Sequence, residues 1–309
     1  MKRLTLNFHF WRPCNYTCKF CYAGFEDTKS ALPKGHLPQA DGEQIIRLAA
    51  DFGFYKINFV GGEPTLCPWL GDYLKLAKQL GLRTSIVTNG SRMTPEYTNA
   101  ILPCLDQVGL SLDSLDPDIN RSIGRVGKGK APQLQPAFFL RLANQIRQHG
   151  VHLKINTVVC RDNVDDTSLR AFVDKVQPDR WKRFQVLRIE EENGHNFDDY
   201  AITKAEYQIW LERNQPTNPY TICVDEDNDL MRGSYVMMNP EGRLFSNTNA
   251  DVGADYNHSA PVLEVGFANA MQQIDFRADR YVARGGDYSL EDDANAFVEP
   301  EASVSEVMQ

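Results

Sequence analysis

Strand-like and helix-like patterns alternate along the first 190 residues of the chain, with glycine or proline at the joints. The strands are predicted over residues 4–10, 56–60, 83–88, 107–112, 152–159 and 183–189. The helices are predicted over residues 41–52, 70–80, 95–102, 134–149 and 164–176. Each strand–helix–strand unit takes about 30 to 50 residues, the spacing of right-handed βαβ crossovers in a parallel sheet. We therefore predict an α/β fold, a partial (βα)6 barrel over residues 1–190.

Residues 191–290 follow a different pattern. One helix is predicted over 203–214, followed by short strands near 221–224, 234–238 and 243–246 and a glycine-rich segment at 284–290. We expect this part to form a C-terminal extension that covers one mouth of the barrel and closes a ligand site. The tail 291–309 contains six acidic residues and no basic one, so we expect it to be disordered.

Composition and charge narrow the possible functions only modestly. The net charge of −8 argues against direct binding to nucleic acid or to an anionic membrane. No run of eighteen apolar residues occurs, and the N-terminal segment lacks the apolar core of a signal peptide. We expect a cytoplasmic monomer without a membrane partner.

Three of the seven cysteines crowd into eight residues directly after the first predicted strand. The segment CNYTCKFC places Cys14, Cys18 and Cys21 in a C-x3-C-x2-C spacing. In a parallel barrel this loop lies at the carboxyl end of the strand, where active sites occur. Three thiolates on one loop can bind three irons of a [4Fe–4S] cubane and leave the fourth iron open for chemistry.

A structural zinc site is the alternative interpretation of this motif. Zinc needs four ligands, so the fourth would be His9 or a distant cysteine, and the chain has no second C-x2-C pair. The other four cysteines stand alone, and we expect them to be small buried apolar residues: Cys67, Cys104, Cys160 and Cys223. An odd cysteine count without a signal peptide argues against a disulfide framework.

Polar or glycine-rich segments follow the next three predicted strands. GGEP (61–64) follows the second strand, VTNG (87–90) ends the third, and SLDS (111–114) ends the fourth. The two glycines permit a tight turn, and exposed carbonyl groups there can accept hydrogen bonds from an ammonium group. Polar residues at several successive strand ends of one barrel are what a shared site requires.

This combination resembles the radical S-adenosylmethionine (SAM) superfamily. The resemblance implies that the amino and carboxylate groups of SAM chelate the open iron, and that reductive cleavage of SAM yields a 5′-deoxyadenosyl radical. It also implies a low-potential electron donor. The residues expected to contact SAM are Tyr22, Gly61, Gly62, Glu63, Pro64, Asn89 and Ser111.

Further segments resemble one branch of that superfamily, the viperins. They are NFHFWRPCNYTCKFCY (7–22), KINFVGGEP (56–64), SLDS (111–114), IGR (123–125), KINTVV (154–159), RWKRFQVL (180–187) and RGGDY (284–288). The resemblance implies dehydration of a ribonucleoside triphosphate (CTP, UTP or GTP) to its 3′-deoxy-3′,4′-didehydro form, an antiviral chain terminator. It also implies removal of the ribose 4′-hydrogen, with Tyr235 assisting the last step.

A triphosphate needs several positive groups inside the barrel. Lys56 and Asn58 are two residues apart on a predicted strand and so share a face, and Lys154 and Asn156 repeat this arrangement. We expect these faces to line the lumen, because the opposite arrangement would bury charge beneath the helices. The other residues expected to bind substrate are Asn7, Arg125, Arg180, Lys182, Arg284, Gly285 and Gly286.

The chain departs from the viperin pattern at two positions and lacks one segment. Val60 replaces a serine before GGEP, and Asp287 replaces a lysine beside the RGG segment, which puts a phosphate contact there in doubt. The amphipathic N-terminal helix of animal viperins is absent. Two rival functions stay open: a radical SAM enzyme acting on a peptide or a cofactor precursor, and a non-catalytic zinc- or nucleotide-binding module. The former commonly carries a second cysteine cluster near the C-terminus, which this chain lacks.

Overall fold

The structure, a computed structural model, describes residues 3–128, 134–248 and 256–290. Its described strands are β1 Thr5–Trp11, β2 Lys56–Gly61, β3 Arg83–Thr88, β4 Gln107–Ser111, β5 His152–Val159, β6 Arg180–Gln185, β7 Ile222–Glu226, β8 Val236–Met238, β9 Arg243–Ser246 and β10 Asn257–Pro261. Its described helices are α1 Gln39–Phe52, α2 Leu70–Gln79, α3 Pro95–Ile101, α4 Pro117–Ser122, α5 Pro136–Gln148, α6 Ser168–Val176, α7 Glu190–Asn193, α8 Lys204–Arg213, α9 Asn228–Met231, α10 Val262–Gln272 and α11 Ala278–Ala283.

The strands form one mixed sheet in the order β10-β9-β8-β1-β2-β3-β4-β5-β6-β7. Strands β1 to β6 are sequential neighbours and parallel, as successive βαβ crossovers require. The sheet curves but does not close, since β10 and β7 form its two edges. This confirms the predicted partial barrel.

The C-terminal extension contributes strands to both sides of the barrel. β7 pairs in parallel with β6, and β8 pairs in parallel with β1. The hairpin of β8 and β9 and the following β10 then lengthen the sheet in antiparallel fashion. The extension therefore continues the sheet at each end, and the sequence pattern did not predict β10, α10 or α11.

One predicted strand is shifted: β6 spans Arg180–Gln185, whereas the apolar run predicted 183–189. The true strand is rich in charged residues because each of its faces has a polar task. Lys182 lines the interior cavity, while Arg183 on the opposite face is buried and pairs with Asp225 of β7 at 2.5 Å. Residues of this kind look like surface positions when only sequence is considered.

The core lies between the strands and the outer helices. Ile57, Phe59, Leu153 and Ile155 are fully buried in one hydrophobic cluster with the apolar faces of the helices. α1 contributes residues at helical spacing, among them Ile45, Ile46 and Ala49. The alternation predicted for β2 and β5 is thus present, and their other face is left for the interior.

Two further expectations concern the periphery of the chain. No helix in the described ranges combines the length and the apolar character needed to cross a membrane. The tail 291–309, expected to be disordered, lies outside the described residues.

Candidate active site

The cysteine motif lies on the loop between β1 and α1, at the carboxyl end of the sheet. Cys14, Cys18 and Cys21 all line one cavity of about 270 Å³. Neighbouring segments fix this loop: Lys128 Nζ donates to the Cys14 carbonyl at 2.9 Å, and the Glu192 carboxylate accepts the Gly24 N–H at 2.7 Å. Burial raises the pKa of Cys18 to about 11, so this thiol must lose a proton when it binds a metal.

The surroundings of the motif fit an iron–sulfur cluster better than zinc. The three thiols stand on one loop and face one cavity, which is the donor set of a cubane with one open iron. His9, the alternative fourth zinc ligand, instead packs its ring against Tyr22 and Phe25 at centroid distances of 5.9 and 5.1 Å. Among the other cysteines, Cys67 and Cys160 are buried as predicted, whereas Cys104 and Cys223 are only partly buried.

The two glycines of GGEP allow the β2 loop to touch the backbone that leads to the first cysteine. A side chain on Gly62 would overlap the Arg12 carbonyl oxygen and lie 2.5 Å from that of Pro13. Instead, the Gly62 N–H donates to the Trp11 carbonyl at 2.6 Å, and the Glu63 N–H donates to the Pro13 carbonyl at 3.0 Å. The glycines therefore set the position of the cysteine loop, a role that the motif alone did not reveal.

Glu63 is buried and joins the loops after β2 and β3. Its carboxylate accepts hydrogen bonds from the Thr65 N–H at 3.1 Å, the Thr88 hydroxyl at 2.6 Å and the Asn89 N–H at 2.8 Å. The Asn89 amide in turn donates to Asn15 within the cysteine motif at 3.0 Å. Gly61, Gly62, Glu63, Asn89 and Tyr22 all line the large cavity together with the cysteines. Pro64, by contrast, is buried at the start of a 3-10 turn and does not line it.

Ser111 and Arg125 occupy the opposite wall of the same cavity. Arg125 pairs with Asp113, a buried carboxylate that also accepts the Val158 N–H at 2.8 Å. This pairing holds the guanidinium near Cys18, so Arg125, predicted to bind substrate, lies at the cysteine end of the cavity. Asp113 was not predicted, although it stands within the SLDS segment.

A second cavity of about 50 Å³ adjoins the first and contains most of the predicted substrate residues. Both cavities share Asn7, Asn58, Lys154, Lys182 and Tyr235. The second adds three cations and the glycine pair: Lys56, Arg180, Arg284, Gly285 and Gly286. Asn156 lines the first cavity only, and its side-chain oxygen is buried without a hydrogen-bond partner among the described residues.

The second cavity is strongly cationic. Five of the described residues that line it are Lys or Arg, and none is acidic. Burial, together with the neighbouring cations, lowers the pKa of Lys154 to about 7. Burial likewise lowers the pKa of Lys182 to about 8, although Glu226 opposes the shift. We call this cavity the cationic pocket; an anionic ligand would restore the charged form of both lysines.

Behind the cationic pocket lies Glu226, which sequence reasoning missed. This fully buried carboxylate pairs with Lys182 at 2.5 Å and accepts a hydrogen bond from the Tyr235 hydroxyl. Lys182 Nζ also donates to the Tyr235 oxygen at 2.9 Å. Burial alone would raise the pKa of Glu226, but Lys182 and Arg284 lower it. Tyr235, the predicted catalytic residue, is thus held between a base and an ammonium group.

The RGG segment follows α11 and closes the far side of the cationic pocket. Arg284 is buried, donates from Nε to the Ser234 carbonyl at 2.8 Å and stacks over the Tyr235 ring at 3.6 Å. Gly285 adopts a φ of 73°, and a side chain on Gly286 would lie 2.7 Å from the Tyr281 carbonyl oxygen. Asp287 turns away and accepts the Arg3 N–H at 2.8 Å, so its charge does not enter the pocket.

Tyr288 is a second residue that the sequence did not reveal. Its ring covers the Arg180 guanidinium at 3.6 Å, and its hydroxyl accepts from Lys56 at 2.7 Å and donates to Gln107 at 3.2 Å. It follows RGGD directly, so its place beside that motif was the available clue. Tyr288 fixes two cations whose positive charge would otherwise drive them apart.

Comparison with known proteins gives three findings. Residues 9–172 match the Radical SAM superfamily. A protein of Lacinutrix mariniflava named S-adenosylmethionine-dependent nucleotide dehydratase is 43% identical over 94% of this chain and 60% of its own length. A Flammeovirga pacifica protein of the same name is 39% identical over 92% of this chain and 95% of its own length.

Among solved structures, the fold is similar to that of Streptococcus suis SuiB bound to the precursor peptide SuiA. The TM-score is 0.63 at 19% identity, over 92% of this chain and 67% of that one. This similarity concerns the fold alone. The chain spans only part of the first relative, which is the longer of the two proteins compared above.

Proposed function

The chain belongs to the radical SAM superfamily and, within it, to the S-adenosylmethionine-dependent nucleotide dehydratases, the viperin-like branch; from this premise we propose that it dehydrates a ribonucleoside triphosphate. The membership gives the chain a [4Fe–4S] cluster and SAM as cofactors. The proposed product is the 3′-deoxy-3′,4′-didehydro nucleotide, an antiviral chain terminator.

The cationic pocket is the observation that carries the triphosphate assignment. Five buried or half-buried cations converge on a cavity in which no described lining residue is acidic. Such a cluster is costly unless an anion of several charges completes it. A triphosphate satisfies this requirement through charge-assisted hydrogen bonds, with the two arginines able to donate in pairs.

The residues shared by the two cavities are suited to hold the ribose between phosphate and cofactor. Asn58 donates to Asn7 at 2.9 Å and accepts from Ser85 at 2.6 Å, so both amides are fixed in orientation. The unpartnered Asn156 oxygen is available to a sugar hydroxyl. When bound, the cluster and SAM supply the radical chemistry that removes the 4′-hydrogen. Lys182, held by Tyr235 and Glu226, is placed to give the proton that leaves with the 3′-hydroxyl as water.

Cysteine distribution does not favour the rival, a radical SAM enzyme acting on a peptide. Beyond residue 160 only Cys223 remains, so no second cysteine cluster is available. CTP, UTP and GTP all stay candidate substrates, and a low-potential reductant is required. A cytoplasmic, monomeric enzyme remains our expectation.

The decisive experiment is an anaerobic assay with dithionite, SAM and each of the four ribonucleoside triphosphates, read by mass spectrometry. We expect one or more triphosphates to lose water, and deuterium placed at the 4′-carbon to appear in 5′-deoxyadenosine. Transfer of deuterium from the 3′-carbon would contradict the scheme. Cys18→Ala should abolish SAM cleavage, whereas the matched Cys67→Ala should retain the cluster because Cys67 lies in the hydrophobic core.

A further inference from the structure

His9 is a buried polar residue that the proposed reaction does not yet use. Its side chain is 1% exposed, and neither ring nitrogen has a hydrogen-bond partner among the described residues. Buried polar atoms in native proteins are nearly always satisfied, since an unsatisfied one costs about 1 to 3 kcal/mol. Burial lowers the pKa of His9 to about 3, so the ring is neutral and offers one donor and one acceptor.

The ring faces the interior cavity. Along β1, Phe8 and Phe10 point into the hydrophobic core, and the alternate residues Asn7 and His9 line the large cavity. An unpartnered donor and acceptor therefore stand at the wall of the space that receives the reactants.

Aromatic and thioether side chains surround His9 at this point. Its ring lies 5.7 Å from that of Phe245, which in turn lies 4.6 Å from Tyr256. Met237 of β8 packs in the same cluster, and Tyr22 approaches His9 edge-on. We call His9, Tyr22, Met237 and Tyr256, which all line the cavity, the aromatic corner.

The aromatic corner is distinct from the other parts of the cavity, yet adjoins the cationic pocket. Tyr235, which contacts Lys182 and Arg284, also packs against the cluster that contains Met237. A different apolar wall, with Phe20 and Val186, packs against Cys18 on the other side of the barrel. The latter wall is the nearer one for the adenosyl group of a SAM molecule held at the cysteines.

We propose that the aromatic corner holds the nucleobase of the substrate and that His9 hydrogen bonds with the edge of this base. Flat rings and a thioether match the faces of a base, and a neutral donor–acceptor pair matches its polar edge. No described residue of the corner is charged, which fits a neutral heterocycle and not a phosphate. Because imidazole can exchange its tautomers, His9 accepts either polarity of the base edge. The inference rests on the proposed function.

The test uses anaerobically reconstituted full-length protein and titration calorimetry with four probes: CTP, GTP, inorganic tripolyphosphate and SAM. His9→Phe should bind the nucleotides about tenfold more weakly, the equivalent of one lost hydrogen bond of about 1.4 kcal/mol. Affinity for tripolyphosphate and SAM should stay within about twofold of the wild type. His9→Asn, which keeps a donor and an acceptor, should recover part of the loss.

A measurement on the wild type keeps the proposal testable if the variants fail to fold. A ribose triphosphate that carries a phenyl ring in place of the base should bind the wild type about tenfold more weakly than CTP, and His9→Phe should weaken it no further. Loss of SAM affinity in place of nucleotide affinity, or an equal loss for tripolyphosphate, would overturn the proposal. A wild type that binds SAM but no nucleotide would refute the proposed function instead.

Discussion

Lys154 shows how the surroundings of one residue set its charge. In the sequence it is an ordinary lysine in a strand pattern, with an unperturbed pKa near 10.4. In the fold it lines the cationic pocket, where burial and neighbouring cations lower its pKa to about 7. At neutral pH the ligand-free protein therefore contains a mixture of charged and neutral Lys154.

This predicts a pH dependence of nucleotide binding. Below pH 7 Lys154 is charged and favours the triphosphate, whereas above pH 7 binding must first take up a proton. Affinity should therefore fall as pH rises from about 6.5 to 8.5, by at most tenfold per unit for each proton taken up. Calorimetry at each pH measures the slope, and Lys154→Met should make it shallower. A variant with the wild-type slope would show that another group titrates.

The loop after β2 shows how one element positions another. Gly61 and Gly62 contact the backbone of residues 11–13, which leads directly into Cys14. Their hydrogen bonds join the end of β1 to the loop after β2. The spacing of the cysteines depends on this contact as much as on their own sequence.

Gly62→Ala should therefore displace the cysteine loop. The added methyl group meets two backbone carbonyls, which cannot turn aside as a flexible side chain would, and overpacking of this kind costs about 1 to 3 kcal/mol. We expect a lower Tm and less iron bound after anaerobic reconstitution. The matched control is Gly71→Ala in α2, which has open space around it and should stabilise the protein by about 0.5 to 1 kcal/mol. Equal iron contents in the two variants would contradict this role.

At the scale of the whole molecule, the partial barrel and its extension share one sheet. β7 covers the open edge of β6, and β8 covers the open edge of β1. The same pairings bring Glu226 to Lys182 and the Val236 carbonyl to the Asn7 amide at 3.3 Å. A boundary at residue 190 describes the order of elements along the chain, and it stays a prediction whether the two parts fold separately.

The shared sheet predicts that the barrel cannot be isolated. A fragment of residues 1–220 would expose both parallel edge strands, and such edges promote aggregation. We expect it to be insoluble or to lack a cooperative thermal transition, whereas the full chain unfolds cooperatively. Solubility, calorimetry and size-exclusion chromatography decide the matter. A soluble, cooperatively folded fragment that binds the cluster would show that the extension is a separable lid.

The sequence by itself determined those features that depend on short stretches of chain. The cysteine spacing, the glycine pair after β2 and the alternation of Lys56 with Asn58 follow from local geometry, since a strand repeats every two residues. These patterns led to the radical SAM family, the cofactors and the partial barrel, all of which the comparisons confirm. They also placed most of the predicted substrate residues on a common surface.

Only the tertiary structure decided which residues become partners across long distances in the sequence. The pairing of Asp113 with Arg125, the position of Glu226 beside Tyr235 and the cover of Tyr288 over Arg180 have no local pattern. It also shifted β6 by three residues, because a strand with a polar cavity on one side lacks the apolar run that marks a strand in sequence. The free energy of a buried charge depends on the groups that the fold brings beside it, and the sequence order does not specify those groups.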